Sequence, residues 1–248
     1  DGRTPREILD AVSIRAHELV HEQHRIMLDE LLPALAIEGI HLVRQKDWSA
    51  AQLGWLREWF LKNALPIVTP IAIDPSHPFP HIANRTLCLA LEIEADDDDD
   101  LAPPEFGILH IPAAVLPRFL RLPSPPGQVH VALLEDTVRA NLDQVFRNAK
   151  ILSAGAIRVT RDAELDYDED RADDLLRTIE IAVRERRLGG AVRLQHEPGV
   201  SAEFLPRLVS ELELEPGDVY GANGLTGFAD LFQLYTMVKR PDLKFPPW

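Results

Sequence analysis

Five prolines fall between Pro66 and Pro80, in a stretch that runs on to residue 94 and reads PIVTPIAIDPSHPFPHIANRTLCLALEIE. Each ring fixes φ and steers the preceding residue away from helix, so the chain must cross this stretch in an ordered, extended form. The stretch divides the sequence. Before it lie two strongly helical segments, and after it come short strands alternating with helices. Leu87, Leu89, Leu91 and Ile93 alternate with Cys88, Ala90 and Glu92, the pattern of a half-buried strand.

A chain of 248 residues with 46% hydrophobic content buries one good core and a smaller satellite, a domain of ordinary size with a helical appendage. No apolar run approaches the ~20 residues that cross a bilayer, and the opening DGRTPREILD is no signal sequence. The cytoplasm is therefore the default compartment, and peripheral attachment to a membrane is compatible with it. The single Cys88 excludes an internal disulfide and a thiolate zinc site, and reads as a small core residue. The net charge of −14 argues against a nucleic-acid partner. Residues 1–66 hold 8 Lys+Arg against 10 Asp+Glu and residues 67–248 hold 18 against 30, so the acidity belongs to the mixed region.

Thr4, Pro5 and Glu7 form a capping box with proline at the first helical position. The helix they start carries Ile8, Val12, Leu19, Ile26, Met27, Leu31 and Leu35 at helical spacing and runs to about Glu38, with a kink at Pro33 and a stop at Gly39. A second box, Ser49 to Gln52, opens a shorter helix with Leu53, Leu56, Trp59 and Phe60. The two helices are expected to pack as an antiparallel hairpin.

Beyond the proline stretch, strands are expected at residues 87–94, 106–111, 129–134, 156–160 and 191–195. Helices are expected at 113–120, at 136–148 with Asp136 as cap, at 169–188, at 201–212 and near 228–235. The fold class is thus α+β, an N-terminal helical hairpin followed by a mixed β-sheet covered by helices. Asp96 to Asp100 read as a solvated loop. Asp166, Asp168 and Asp170 resemble the start of a calcium loop, but Arg171 and Arg177 stand where glycine and glutamate are required. The tail RPDLKFPPW is extended and looks like a connection to something further on.

Nucleophile elbow, Walker loop and dinucleotide fingerprint are absent, and NGLTG at residues 223–227 reads as a turn. HELVH, His17 to His21, matches the pattern in which two histidines one turn apart bind zinc and the glutamate acts as base. A zinc hydrolase is the alternative reading it supports. A long polar helix in a chain with nine histidines produces such a pentad by chance, no cleft is expected around it, and His24 supplies no credible third ligand. The pentad is therefore read as a solvated helix face, with no metal site. In IRVTRDAEL, residues 157–165, strand alternation puts Ile157, Val159 and Arg161 on one face. Arg161 then points inward and needs a carboxylate or phosphate partner, an ion pair being the ordinary outcome.

TPIAIDPSHPFPHIANRTL at 69–87, RVTRDAEL at 158–165, DDLL at 173–176, RRLGGAVRL at 186–194 and RPDLKFPPW at 240–248 together resemble the bacterial polyphosphate kinases, which make long inorganic polyphosphate from ATP. The resemblance covers nearly the whole chain. It implies that residues 1–66 close the family's N-terminal helical domain and that residues 67–248 are its middle, or head, domain, associated with dimerisation and with walling a polyphosphate tunnel. The family's phosphorylated histidine, second catalytic histidine and magnesium ligands belong to two later domains with HxK-type motifs, and none of the nine histidines here is followed two places on by lysine. The family's N-terminal opening, which supplies an Asn to the nucleotide pocket, is also missing. No catalytic residue carries over.

The resemblance implies a non-catalytic portion, inactive alone. Its partners would be the missing catalytic domains of the same protein and further copies in a homodimer or higher homo-oligomer, with polyphosphate, ATP and magnesium acting in the full-length parent and no cofactor in this chain. Asn84, Arg85, Arg158, Arg161 and Lys244 match family motifs and are chemically able to meet phosphate.

Overall fold

The computed structural model describes residues 2–73, 78–95, 105–147, 149–162 and 189–246. The expected helix at 169–188, the aspartate run at 96–100 and the calcium-loop resemblance at 166–170 lie outside the described residues. The class is α+β, a helical N-terminal region followed by mixed sheets with helices. The chain forms two compact units, each drawn from three separate segments: residues 1–24, 69–110 and 148–226 in the first, and 25–68, 111–147 and 227–248 in the second.

Helix α1, Pro5–Arg25, starts on the expected capping box. The Thr4 N–H donates to Glu7 Oε2 at 2.7 Å, and the Glu7 N–H donates to Thr4 Oγ1 at 3.3 Å. Its apolar stripe stays largely in water: Ile8, Val12 and Leu19 are exposed and only Met27, beyond its end, is buried. Just before Pro33 the helix rewinds. A π-helical turn, Ile26–Leu31, leads into α2, Leu32–Ile37, with the Leu32 N–H donating to Met27 O. Pro33 thus enters in the first turn of α2, where a missing N–H costs little. Gly39 ends the run with φ +76°.

The first unit is built on a six-stranded sheet in the order β2-β4-β3-β7-β8-β9. Its strands are β2 (Pro70–Ile73), β3 (Leu87–Ala95), β4 (Glu105–His110), β7 (Ala149–Arg161), β8 (Ala191–His196) and β9 (Val219–Gly221). All neighbours are antiparallel except β8 and β9. Strand β3 is not half-buried as its alternation suggests, for Leu87, Leu89 and Leu91 and also Cys88 and Ala90 are all out of water. It is a central strand, hydrogen-bonded to β4 and β7 on its two sides. A helix, Phe204–Glu211, lays Phe204 and Leu208 into a core with Cys88, Ala90, Ile108 and Ile157. Phe204 stacks on Phe106 with ring centres 4.5 Å apart.

The second unit holds a separate three-stranded sheet, β1-β6-β5, so the strands do not form one sheet. β1 (Ile40–Leu42) runs parallel to β6 (Val129–Leu133), and β5 (Phe119–Leu122) runs antiparallel to it. The helix expected at 113–120 is instead a turn followed by β5. Pro112 and Pro117 bracket too few residues for a helix, and Phe119 to Leu122 find a ladder on β6. Helix α3, Ala50–Trp59, opens on the Ser49 and Gln52 box, with both reciprocal hydrogen bonds formed.

The helix expected at 136–148 is two short ones, α4 (Leu134–Arg139) and α5 (Leu142–Val145). Asp136 does not cap: it sits inside the first turn of α4, and its buried carboxylate accepts from Arg44 Nε at 2.8 Å and from Arg139 at 2.8 Å. The last two helices are α6, the Phe204–Glu211 helix of the first unit, and α7, Leu231–Met237, in the second. The tail folds back in a short 3₁₀ turn, Pro241–Leu243, and is not fully extended.

Candidate functional site

Four of the five sequence-derived phosphate candidates converge at one end of β7 in the first unit. Residues 83–86 make a tight turn, closed by the Thr86 N–H donating to Ala83 O at 3.2 Å. Arg85 takes φ +59° there, an uncommon conformation for a side chain this large. The turn is tied to the strand: the Arg85 N–H donates to Val159 O at 2.8 Å and Arg158 Nε donates to Arg85 O at 3.3 Å. Asn84 Oδ1 accepts the Arg161 N–H at 3.0 Å. A register shift between Thr160 and Arg161 ends the regular pairing of β7 with β8 at this point.

Arg161 does turn toward the core edge, and its described side-chain partners are backbone carbonyls, not a carboxylate. Nε donates to Ile82 O at 2.7 Å and a terminal nitrogen donates to Gly189 O at 2.9 Å. Burial pushes this guanidinium below its ordinary value. Gly189 is required beside it, since a Cβ there would stand 2.3 Å from Asp162 O. Lys244 belongs to the second unit, where its ammonium lies 4.4 Å from the centre of the Tyr235 ring.

The HELVH pentad does not lie on a bare helix face. His17 stacks flat on Tyr220 of β9, with ring centres 3.9 Å apart, and its Nε2 is 3.0 Å from Gly217 O, which also accepts from Ser13 Oγ at 2.9 Å. Arg193 lies over the same Tyr220 ring at 4.1 Å. A cavity of about 490 Å³ follows, lined by His17, Glu18, His21, His24, Tyr220 and Asn223 among others, so the expectation of no concavity is overturned. The reason is non-local: β9 pairs at the sheet edge and brings Tyr220 under α1. His24 is buried, with Nδ1 2.8 Å from Val20 O and Nε2 3.1 Å from Leu225 O. The ring nitrogens of His24 and the Nε2 of His17 are thus committed to backbone carbonyls. Among the described residues, no group of three or more His, Cys, Asp or Glu is placed to hold a metal.

Cys88 faces His110 across β3 and β4, Sγ to Nδ1 3.8 Å. Burial pushes the thiol up to about 12 and the imidazole below its usual range, so the pair is a neutral core contact and not a nucleophile with its base. In the second unit, Arg118 and Glu135 form a buried pair, and Arg118 also reaches Asp230 at 2.7 Å and Gly227 O at 3.2 Å. Sequence reasoning missed this network because Arg118 lay in a segment read as helix, and no local spacing links it to residues 135 and 230.

A family model described as the polyphosphate kinase middle domain matches residues 51–234. Polyphosphate kinases of Mycolicibacterium gilvum (strain PYR-GCK) and Paraburkholderia phytofirmans are each 36% identical across 100% of this chain. The chain spans only 34% and 36% of their lengths, about a third of each. Among solved structures, the crystal structure of polyphosphate kinase from Porphyromonas gingivalis superposes with a TM-score of 0.76 at 22% identity, over 98% of this chain and 34% of that one. That likeness bears on the fold.

Proposed function

The chain belongs to the polyphosphate kinase family, and on that premise we propose that it is a non-catalytic portion of an enzyme that transfers the γ-phosphate of ATP to inorganic polyphosphate. The observation that carries this reading is whole-chain similarity to polyphosphate kinases of which the chain spans about a third. In this reading residues 1–66 close the helical domain and residues 67–248 are the head domain. The phosphohistidine, the magnesium ions and the ATP site are supplied from outside this sequence. The portion serves homodimerisation or higher self-assembly and walls the polyphosphate path, in a cytoplasmic protein. No helix among the described residues is long and apolar enough to cross a membrane.

Asn84, Arg85, Arg158, Arg161 and Lys244 are the phosphate-contact candidates in this proposal. Their hydrogen bonds order them: Arg85 is exposed on a strained turn, whereas Arg161 is held by two carbonyls and Asn84 is held by Arg161. With −14 overall, attraction of a polyanion has to be local, since fields fade beyond about 8 Å at physiological salt. Phosphoryl transfer needs cations around the moving group and, by covalent catalysis, a nucleophile to carry it. The test is incubation of this chain and of the full-length protein with γ-labelled ATP and magnesium, followed by alkaline gels. Label is expected on the full-length protein only. Acid-labile label on the 248-residue chain, lost when one of its nine histidines is replaced, would overturn the assignment. Light scattering that finds the full-length protein strictly monomeric at micromolar concentration would overturn the assembly role.

A further inference from the structure

In the second unit, two glycine turns face each other. Gly39 (φ +76°) follows α2 and Gly127 (φ +82°) precedes β6, and a Cβ on Gly39 would stand 3.3 Å from Gly127 O. Beside them is a depression of about 270 Å³ whose charged lining is Arg121 from β5, Lys239 and Arg240 from the segment after α7, and Glu38. We propose that this depression binds phosphoryl oxyanions through Arg121 and Lys239.

Three cations line it against one carboxylate, a local reversal in a chain of net charge −14. The carboxylate is already committed. Arg240 donates to Glu38 Oε2 at 2.6 Å and to Glu38 O at 3.1 Å, and the same guanidinium holds Asp242 at 2.7 Å. These bonds raise the Arg240 pKa above its ordinary value, so this charge is spent internally, offsetting Glu38 and sharing Asp242. Arg121 and Lys239 are both exposed, and among the described residues neither side chain has a hydrogen-bond or ion-pair partner. Two uncommitted cations of different geometry then face one concavity. A guanidinium fork grips two oxygens of a phosphoryl group, and an ammonium serves as a point charge for a third oxygen or for the next group along. The volume suits a small anion and is below that of a drug-sized pocket. The geometry asks only for an oxyanion. The choice of a phosphoanhydride chain rests on the proposed function.

The test is calorimetric titration of the 248-residue chain with tripolyphosphate, orthophosphate and sulfate at low and physiological salt. One tripolyphosphate per chain is expected, with affinity falling as salt rises. Arg121→Gln and Lys239→Gln should each weaken it about tenfold, the worth of one charge-assisted hydrogen bond, and Lys46→Gln, an exposed cation elsewhere in the same unit, should leave it unchanged. Unaltered thermal melts of the two exposed-site variants keep folding out of the comparison. Absence of binding, or binding indifferent to both substitutions, overturns the site. Sulfate bound as tightly as tripolyphosphate overturns the phosphoanhydride class. Kinase activity is not read here, so an inactive full-length protein would defeat the proposed function while leaving this titration standing.

Discussion

Replacing Arg118 should destabilise the second unit severely, and replacing its partner at the same time should restore most of the loss. Arg118 and Glu135 are 3% and 1% exposed, and the guanidinium meets the carboxylate through Nε at 3.2 Å to both oxygens and through a terminal nitrogen at 2.5 Å. Burial, the largest influence, pulls the arginine charge down, and Glu135 with Asp230 more than offsets it, leaving the guanidinium above its ordinary value. At an effective dielectric constant near 20, a pair this close attracts by about 4 kcal/mol. Breaking it by Arg118→Met strands a buried carboxylate and should cost about 3–5 kcal/mol. The Asp230 arm adds little, roughly 0–1 kcal/mol, because that carboxylate is half exposed.

Glu135→Leu should cost somewhat less than Arg118→Met, since the arginine keeps Asp230 and Gly227 O. The double variant Arg118→Met, Glu135→Leu removes both charges and should fall within about 1–2 kcal/mol of the parent, a coupling of roughly 3 kcal/mol or more. The assay is urea denaturation of all four proteins, followed by far-ultraviolet circular dichroism and tryptophan fluorescence. A double variant whose loss equals the sum of the single losses would refute the reasoning, and would mean the two chains act only as separate packing groups.

Gly155→Ala in β7 should cost about 3 kcal/mol or more, because its Cβ would stand 2.1 Å from Val200 N and 2.5 Å from Gly199 C, which are backbone atoms that cannot rotate away. Thermal melts should show a loss of several degrees, and an unchanged midpoint would contradict the close approach. Cys88, with its thiol pushed up to about 12, should stay inert to a disulfide reagent at pH 8 until the protein is unfolded. Labelling of the native chain at the rate of a free thiol would contradict its burial. Burial lowers both His110 and His130, and the neighbouring His41 lowers His130 further. The unfolded state then binds more protons below the ordinary value of 6.5, so stability should be full above that pH and decline as pH falls from about 6.5 toward 5. Denaturation midpoints flat across that window would refute this.

Signals that close within three or four residues were legible in the sequence. The capping boxes at Thr4 and Ser49 form as read, because donor, acceptor and turn all lie on one short piece of chain. Gly39 stops its helix for an equally local reason, a left-handed φ that glycine takes without steric cost. The motif set from residue 69 to residue 248 carried the family. What the sequence left open were choices between equally apolar local forms. Pro117 already stood against a helix across 113–120, but the ladder offered by β6 is what makes Phe119 to Leu122 a strand. Asp136 has the chemistry of a cap, yet two arginines take its carboxylate into the interior.

Tertiary structure alone decided where the long-range partners fall. His17 meets Gly217 O across 200 residues, and Arg118 meets Asp230 across 112. Arg121 and Lys239 come to one depression from two separate segments of the second unit, 111–147 and 227–248. Covalent neighbours fix φ, ψ and caps because those depend on atoms a few bonds away. The partner of a buried charge, and the exposure of a free one, depend on which surfaces exclude water together, and that is settled only when the segments assemble.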